Sequence, residues 1–370
     1  MELADWQPQS RLVLPHSEIP LPCVAAIDAH NHLGRWLALW DDWLGLDPAE
    51  VVRGLERPWA VEDVGAALAT LDEAGVESIV NLDGLWGEEL ERNLDRYDRA
   101  HPGRFVTFCH VDLRAIGRPG FDAEVLVSSL RRSRDAGARG LKIWKDLGLG
   151  IRDTSGAHVM PDDERLAPVF AAAGELDLPV LIHTADPVAF FEPADATNER
   201  IEELIEKPEW GYHGRDFPSF TRLMRSLEGL VAAHPGTTFI VAHVGCYPEN
   251  LAWVERMLTS YPNMVIDVSQ RMAELGRQPR AAARLICKHR ERVLFGTDSF
   301  PPTPGLYRRW WRFLETDDEC FAYGPREERP SQGRWAVSAL ALPSDVLVPI
   351  YRANAQRILH LGSLSTSGRE

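Results

Sequence analysis

No apolar run in the chain approaches the ~18 residues that a membrane-spanning helix needs, so a membrane protein is not expected. Cysteine is scarce. Cys23, Cys109, Cys246, Cys287 and Cys320 are odd in number and show no CxxC spacing. That excludes a zinc ribbon and disfavours a disulfide framework, and it points to reduced, mostly buried thiols in a cytoplasmic protein. Basic residues are in deficit: Lys+Arg 40 against Asp+Glu 55 leaves a formal net charge of −15. Such a field repels phosphate backbones, which removes nucleic acid from the expected partners. Met1 to Arg11 carry acids and no apolar stretch, so no secretory leader is expected. What is present is ordinary apart from one number. Hydrophobic residues at 45% and charged residues at 26% suit a soluble globular protein, but there are 12 tryptophans.

Short apolar runs alternate with amphipathic segments from residue 25 onward. The expected strands are Ala25–Asp28, Val76–Leu82, Phe105–Val111, Ala138–Trp144, Pro179–His183, Phe239–His243, Met264–Val268 and Val293–Phe295. None alternates apolar with polar residues, as expected of parallel strands buried on both faces. Between them, Val61–Ala74 and Asp122–Ala136 run into Gly75 and Gly137, placed as left-handed helix caps. Pro279–His289 and Ser344–His360 supply the last two helices. Eight such units predict an α/β fold, a (β/α)8 TIM barrel in one domain over 25–362. A 1–24 extension would pack on it, and 363–370 would be a disordered tail. Connections after strands 1, 5 and 8 are long: Leu33–Ala60, Thr184–Pro218 and Ser299–Pro343. In this architecture they gather on one face, where a site is built.

Histidines mark that face. Asp28-Ala29-His30-Asn31-His32 closes strand 1, and strict alternation would put residues 28, 30 and 32 on one side. Two imidazoles so spaced suit one divalent cation. His183 ends strand 5, His243 ends strand 6, and Asp298 follows strand 8 in Gly296-Thr297-Asp298. A closed barrel brings all of these ends to one rim.

The ordered set resembles the amidohydrolase superfamily, in particular its decarboxylase-like branch, over the span from Asp28 to about His360. The resemblance implies that His30, His32, His183 and Asp298 ligate a divalent metal, Zn2+ by usual preference. It also implies that His243 and Asp298 do the catalytic work. A metal brings the pKa of water from about 15.7 to about 7, so hydrolysis of a small amide, lactone or ester is the first expectation. Non-oxidative decarboxylation of an aromatic or unsaturated carboxylic acid is the alternative on the same residues. A non-catalytic ligand-binding barrel is third. Lys142, inside strand 4, bridges two metals if carboxylated; otherwise it pairs with Asp83 or Asp112, or contacts substrate, and one ion suffices.

Nine tryptophans fall on the loop face, among them Trp86, Trp210, Trp310, Trp311 and Trp335. Trp36 and Trp144 are the expected pocket wall. Arg271, after strand 7, is a carboxylate clamp or the partner of an acid in Glu315–Glu319. Asn81 and His110, ending strands 2 and 3, reach the same cavity, while Asn198-Glu199-Arg200 reads as solvated loop. A small molecule is the expected partner, and self-association is left open.

Overall fold

The computed structural model describes residues 11–35, 59–324 and 332–361, and Trp36 lies outside them. Eight parallel strands form: β1 Ala26–Asn31, β2 Val76–Asn81, β3 Phe105–Thr107, β4 Leu141–Ile143, β5 Val180–Ile182, β6 Phe239–Val241, β7 Met264–Asp267 and β8 Val293–Leu294. Each is followed by a helix: α1 Val64–Ala74, α2 Gly87–Leu94, α3 Glu124–Ala136, α4 Ala167–Glu175, α5 Phe220–Ala233, α6 Leu251–Ser260, α7 Pro279–Lys288 and α8 Pro304–Glu315. This is the (β/α)8 barrel. The ladder runs β1-β2-β3 and β4-β5-β6-β7-β8. Backbone hydrogen bonds cross both seams: Cys109 N to Gly140 O (2.9 Å) beside β4, and Ala29 N to Phe295 O (2.9 Å) beside β1.

Local chemistry fixes the helix ends. Asp63 accepts from Ala66 N at the start of α1, and Gly75 ends it at φ 76. A Cβ there would be strained in that left-handed conformation and would stand 2.7 Å from Pro22 Cδ. Ser219, Asn250 and Thr303 cap α5, α6 and α8 with their side chains.

The strands supply two cores. Val180, Ile182, Phe239, Val241, Met264 and Ile266 pack outward against the helices. The residues between them, Leu181, Ile240 and Val265, fill the barrel with Ile27, Val80, Phe108 and Leu294. Both faces are therefore apolar, the reason the sequence shows no alternation. The expected helix Ser344–His360 forms as a continuous helical run to Ile358, its backbone staying right-handed at both internal junctions. It runs as Ser344–Val348, a wider π-turn over Pro349–Ala353, and Asn354–Ile358, and Ala355, Ile358 and Leu359 join the barrel interior. Pro349, with no N–H to donate, stands where the helix widens.

Trp310 and Trp311 belong to this packing and not to a pocket wall. Both lie on α8 against Phe295, with ring centroids 5.9 and 4.9 Å away, and Trp311 Nε1 donates to Ala74 O at 3.1 Å. Ahead of the barrel, Ser17 donates through N and Oγ to Asp318, each at 2.8 Å. No helix among the described residues is long and apolar enough to cross a membrane.

Candidate metal centre and its cavity

Strict alternation fails where it matters most. Between Asp28 and Asn31 strand β1 advances three residues while β2 advances two, from Ile79 to Asn81. This bulge separates Asp28 from His30. Asp28 turns to α8, accepting from Tyr307 Oη at 2.9 Å. His30 turns to the barrel mouth, where its Nδ1–H donates to Asp267 Oδ2 at 2.8 Å. Gly296 allows the β8 end to come close, since a Cβ there would stand 2.8 Å from His30 Cβ.

The other rings are held in the same manner. His32 Nδ1–H donates to Asp83 Oδ1 at 2.7 Å. His243 Nδ1–H donates to the Ser269 carbonyl at 3.0 Å. With Nδ1 carrying the proton, each ring turns an Nε2 lone pair inward. Those nitrogens converge on one carboxylate: His32 Nε2 is 3.4 Å from Asp298 Oδ1, His30 Nε2 is 3.7 Å from Asp298 Oδ1, and His243 Nε2 is 3.8 Å from Asp298 Oδ2. The 3.7 and 3.8 Å gaps are too long for hydrogen bonds. All three are close to the ~3.4 Å edge of a tetrahedron with bonds of about 2.1 Å. His30 Nε2 is fully buried with no hydrogen-bond partner, as is His183 Nε2. Ligand atoms of His30, His243 and Asp298 lie within 4.8 Å of one another. The donor set fits a divalent cation.

His183 is beside this group, its ring 4.4 Å from that of His243, and its Nε2 lies 3.5 Å from Asp186 Oδ1. Burial depresses the pKa of His183 to about 4 and that of His243 well below the ordinary imidazole value. Both are therefore neutral, as ligands must be. His110, also buried, is depressed to about 4. These groups couple stability to pH. Above the unfolded value of about 6.5 neither state takes a proton; below it the unfolded chain does and the folded chain does not, until about pH 4. Stability should fall as pH drops through that window, His110 and His183 each costing about 2 kcal/mol by pH 5. Urea unfolding at pH 7 and pH 5 checks this; an unchanged midpoint would contradict it.

A cavity of about 240 Å³ opens onto the centre, lined by His183, His243, Asp298 and Arg271 and walled by Phe190, Trp210 and Phe300. Lys145 also lines it; its Nζ donates to Asp186 Oδ1 and Oδ2 at 2.9 and 2.7 Å, and Tyr212 Oη donates to the same carboxylate. Lys142, Trp144 and His110 line a separate and much smaller space with Trp86 and Asp146. Lys142 is buried, its Nζ has no hydrogen-bond partner, and burial lowers its pKa to about 8 against the pull of Asp298, Asp267 and Asp83. The two acids expected to pair with it are otherwise engaged, Asp83 with His32 and Asp112 with Arg118. Asn81 serves the backbone, its Oδ1 accepting from Leu33 N and Asp83 N. Arg200 is no solvated loop residue. It is 1% exposed and ion-paired to Glu203 and Glu274, because the loop after β5 folds back over the barrel.

Sequence reasoning passed over Lys145, Asp186, Asp267 and Gln270. Asp267 carried a signal: an acid ending a buried strand needs a partner, and here it is His30. Lys145 and Asp186 sit in irregular segments, where nothing local marks them.

A family model described as amidohydrolase matches residues 27–361. No curated protein matches the chain. Among solved structures, 2,6-dihydroxybenzoate decarboxylase complexed with 2,6-dihydroxybenzoate superposes with a TM-score of 0.57 at 17% identity, covering 91% of this chain and 100% of that one. A dihydroxybenzoic acid decarboxylase from Polaromonas sp., with bound manganese and 2-nitroresorcinol, gives 0.56 at 15% identity, over 91% and 97%. 5-Carboxyvanillate decarboxylase from Sphingomonas paucimobilis gives 0.53 at 17%, over 92% and 100%. At these identities the likeness is one of fold.

Proposed function

The chain belongs to the amidohydrolase family, and from that premise we propose that it is a metal-dependent, non-oxidative decarboxylase of a planar, aromatic or unsaturated carboxylic acid. The observation that carries this is the cavity. It joins the His30, His243 and Asp298 group to aromatic walls, Phe190, Trp210 and Phe300, and to a buried guanidinium, Arg271. Support also comes from the solved decarboxylases of the same fold, one of which holds manganese. His30, His32, His183 and Asp298 would hold the cation, manganese or zinc, with His243 beside it. When bound, that ion supplies a Lewis acid to the substrate's oxygens.

The protein's own part follows from placement. Phe190, Trp210 and Phe300 pack on the faces of a planar substrate and keep water from the reacting carbon. His243, kept neutral by burial, orients the substrate oxygen. As the C–CO2 bond breaks, its electron pair stays on that carbon, and a proton drawn from solvent and relayed by an Asp298 carboxyl oxygen moves to it. CO2 departs and the C–H bond takes its place.

Hydrolysis of an amide, lactone or ester on the same residues is the second reading, favoured by the family description itself. The two separate on products. Metal-loaded protein should release CO2 from hydroxybenzoates or related acids; new acid or amine from amides and lactones, with no CO2 from any acid, would replace the first reading by the second.

A further inference from the structure

Among the described residues three cations line the cavity, Lys145, Arg200 and Arg271, and they are not equivalent. Lys145 is neutralised by both oxygens of Asp186. Arg200 holds Glu203 at 2.7 Å and also pairs with Glu274. Arg271, only 5% exposed, has no carboxylate within ion-pair reach among the described residues, including the acids of Glu315–Glu319. Its Nη1 donates to the Gln270 carbonyl at 3.0 Å, and its Nε is buried without a partner. Glu203, Glu249 and Glu274 feel its charge but do not bond it.

A buried cation without an anion costs several kcal/mol, a cost that a matched, hydrogen-bonded anion offsets. A guanidinium presents a planar fork that fits a carboxylate, and one committed N–H leaves most of that fork uncommitted. We propose that Arg271 is an anion receptor that binds the carboxylate, or an equivalent planar oxyanion, of the substrate independently of the metal. The ligand's ring then lies along Phe190, Trp210 and Phe300, its charge at Arg271. The same cavity discriminates against neutral isosteres, because an amide leaves the buried guanidinium uncompensated. This inference rests on the cavity being the substrate site, but not on which bond is broken there.

The test uses metal-stripped full-length protein and calorimetric titration with 2-hydroxybenzoate and its neutral isostere 2-hydroxybenzamide. The wild-type protein should bind the acid at least about tenfold more tightly than the amide, a difference of about 1.4 kcal/mol. Arg271→Met should erase that preference, and Arg271→Lys should keep part of it, since charge remains but the fork is lost. Arg256→Met, on the exposed side of α6 and outside the cavity, should leave it in place, and circular dichroism confirms that each variant folds. No acid preference in the wild-type protein, or a preference that survives Arg271→Met in folded protein, overturns the inference. If Arg271→Met does not fold, Arg271→Lys decides it: a preference undiminished in that variant overturns it. An acid preference without CO2 release would instead reject decarboxylation and leave the receptor standing.

Discussion

Asp298→Asn and His30→Ala should each lose the bound divalent ion and reduce kcat on the order of 10³-fold or more, since the metal's Lewis acidity is lost with it. His30 Nε2 is buried with no other partner, so the nitrogen has no second use in the fold. Asp298 is the point on which His30, His32 and His243 converge, and at 13% side-chain exposure it opens to the cavity. Asparagine is the informative replacement at 298. The residue sits at φ 51, a left-handed conformation that asparagine tolerates and alanine does not. The backbone contact that places it, Asp298 N to His30 O at 2.7 Å, is retained. Metal stoichiometry by mass spectrometry and an unchanged circular dichroism spectrum check this. A variant that still binds one ion per chain would remove Asp298 from the ligand set.

The largest loss of stability should follow Asp28→Ala, at about 3–5 kcal/mol. Asp28 is fully buried and joins the first strand to the last. Its carboxylate accepts from Thr297 N at 2.9 Å, Thr297 Oγ1 at 2.6 Å, Tyr307 Oη at 2.9 Å and Asn31 Nδ2 at 3.2 Å. Burial raises its pKa, and these donors oppose that rise. Alanine leaves the Thr297 N–H, the Thr297 hydroxyl and the Tyr307 hydroxyl buried without their acceptor, while Asn31 Nδ2 keeps its bond to Thr297 Oγ1 at 3.0 Å. Because Thr297 precedes Asp298, metal affinity should fall in the same variant. Chemical denaturation and a metal titration measure the two effects; a loss under 1 kcal/mol would show that other contacts hold the β1–β8 seam.

Much of the fold is legible in the sequence because barrel strands are buried on both faces. Runs such as Val180-Leu181-Ile182 and Phe239-Ile240-Val241 are apolar throughout, so their number and order survive without tertiary information. Their ends are less legible, since hydrogen bonding stops before hydrophobicity does: Phe105–Val111 contracts to Phe105–Thr107. The tryptophans mislead for a related reason. Trp310 and Trp311 follow strand 8 but lie on α8 at a spacing that turns both into the core, which order along the chain does not reveal.

The sequence by itself determined the eight strand-helix units, the side on which the long loops gather, and the histidines and aspartate at the strand ends. Those are periodicities and positions, and a chain carries them in one dimension. Only the tertiary structure decided that a bulge parts Asp28 from His30, that Asp267 and Asp83 orient two of the rings, and that Lys142 and His110 lie apart from the main cavity. It also decided that, among the described residues, carboxylates pair with Lys145 and Arg200 but not with Arg271. Charge compensation depends on distances between residues remote in the chain: Arg200 and Glu274 are 74 positions apart, and His30 and Asp267 are 237. No local pattern encodes such pairings.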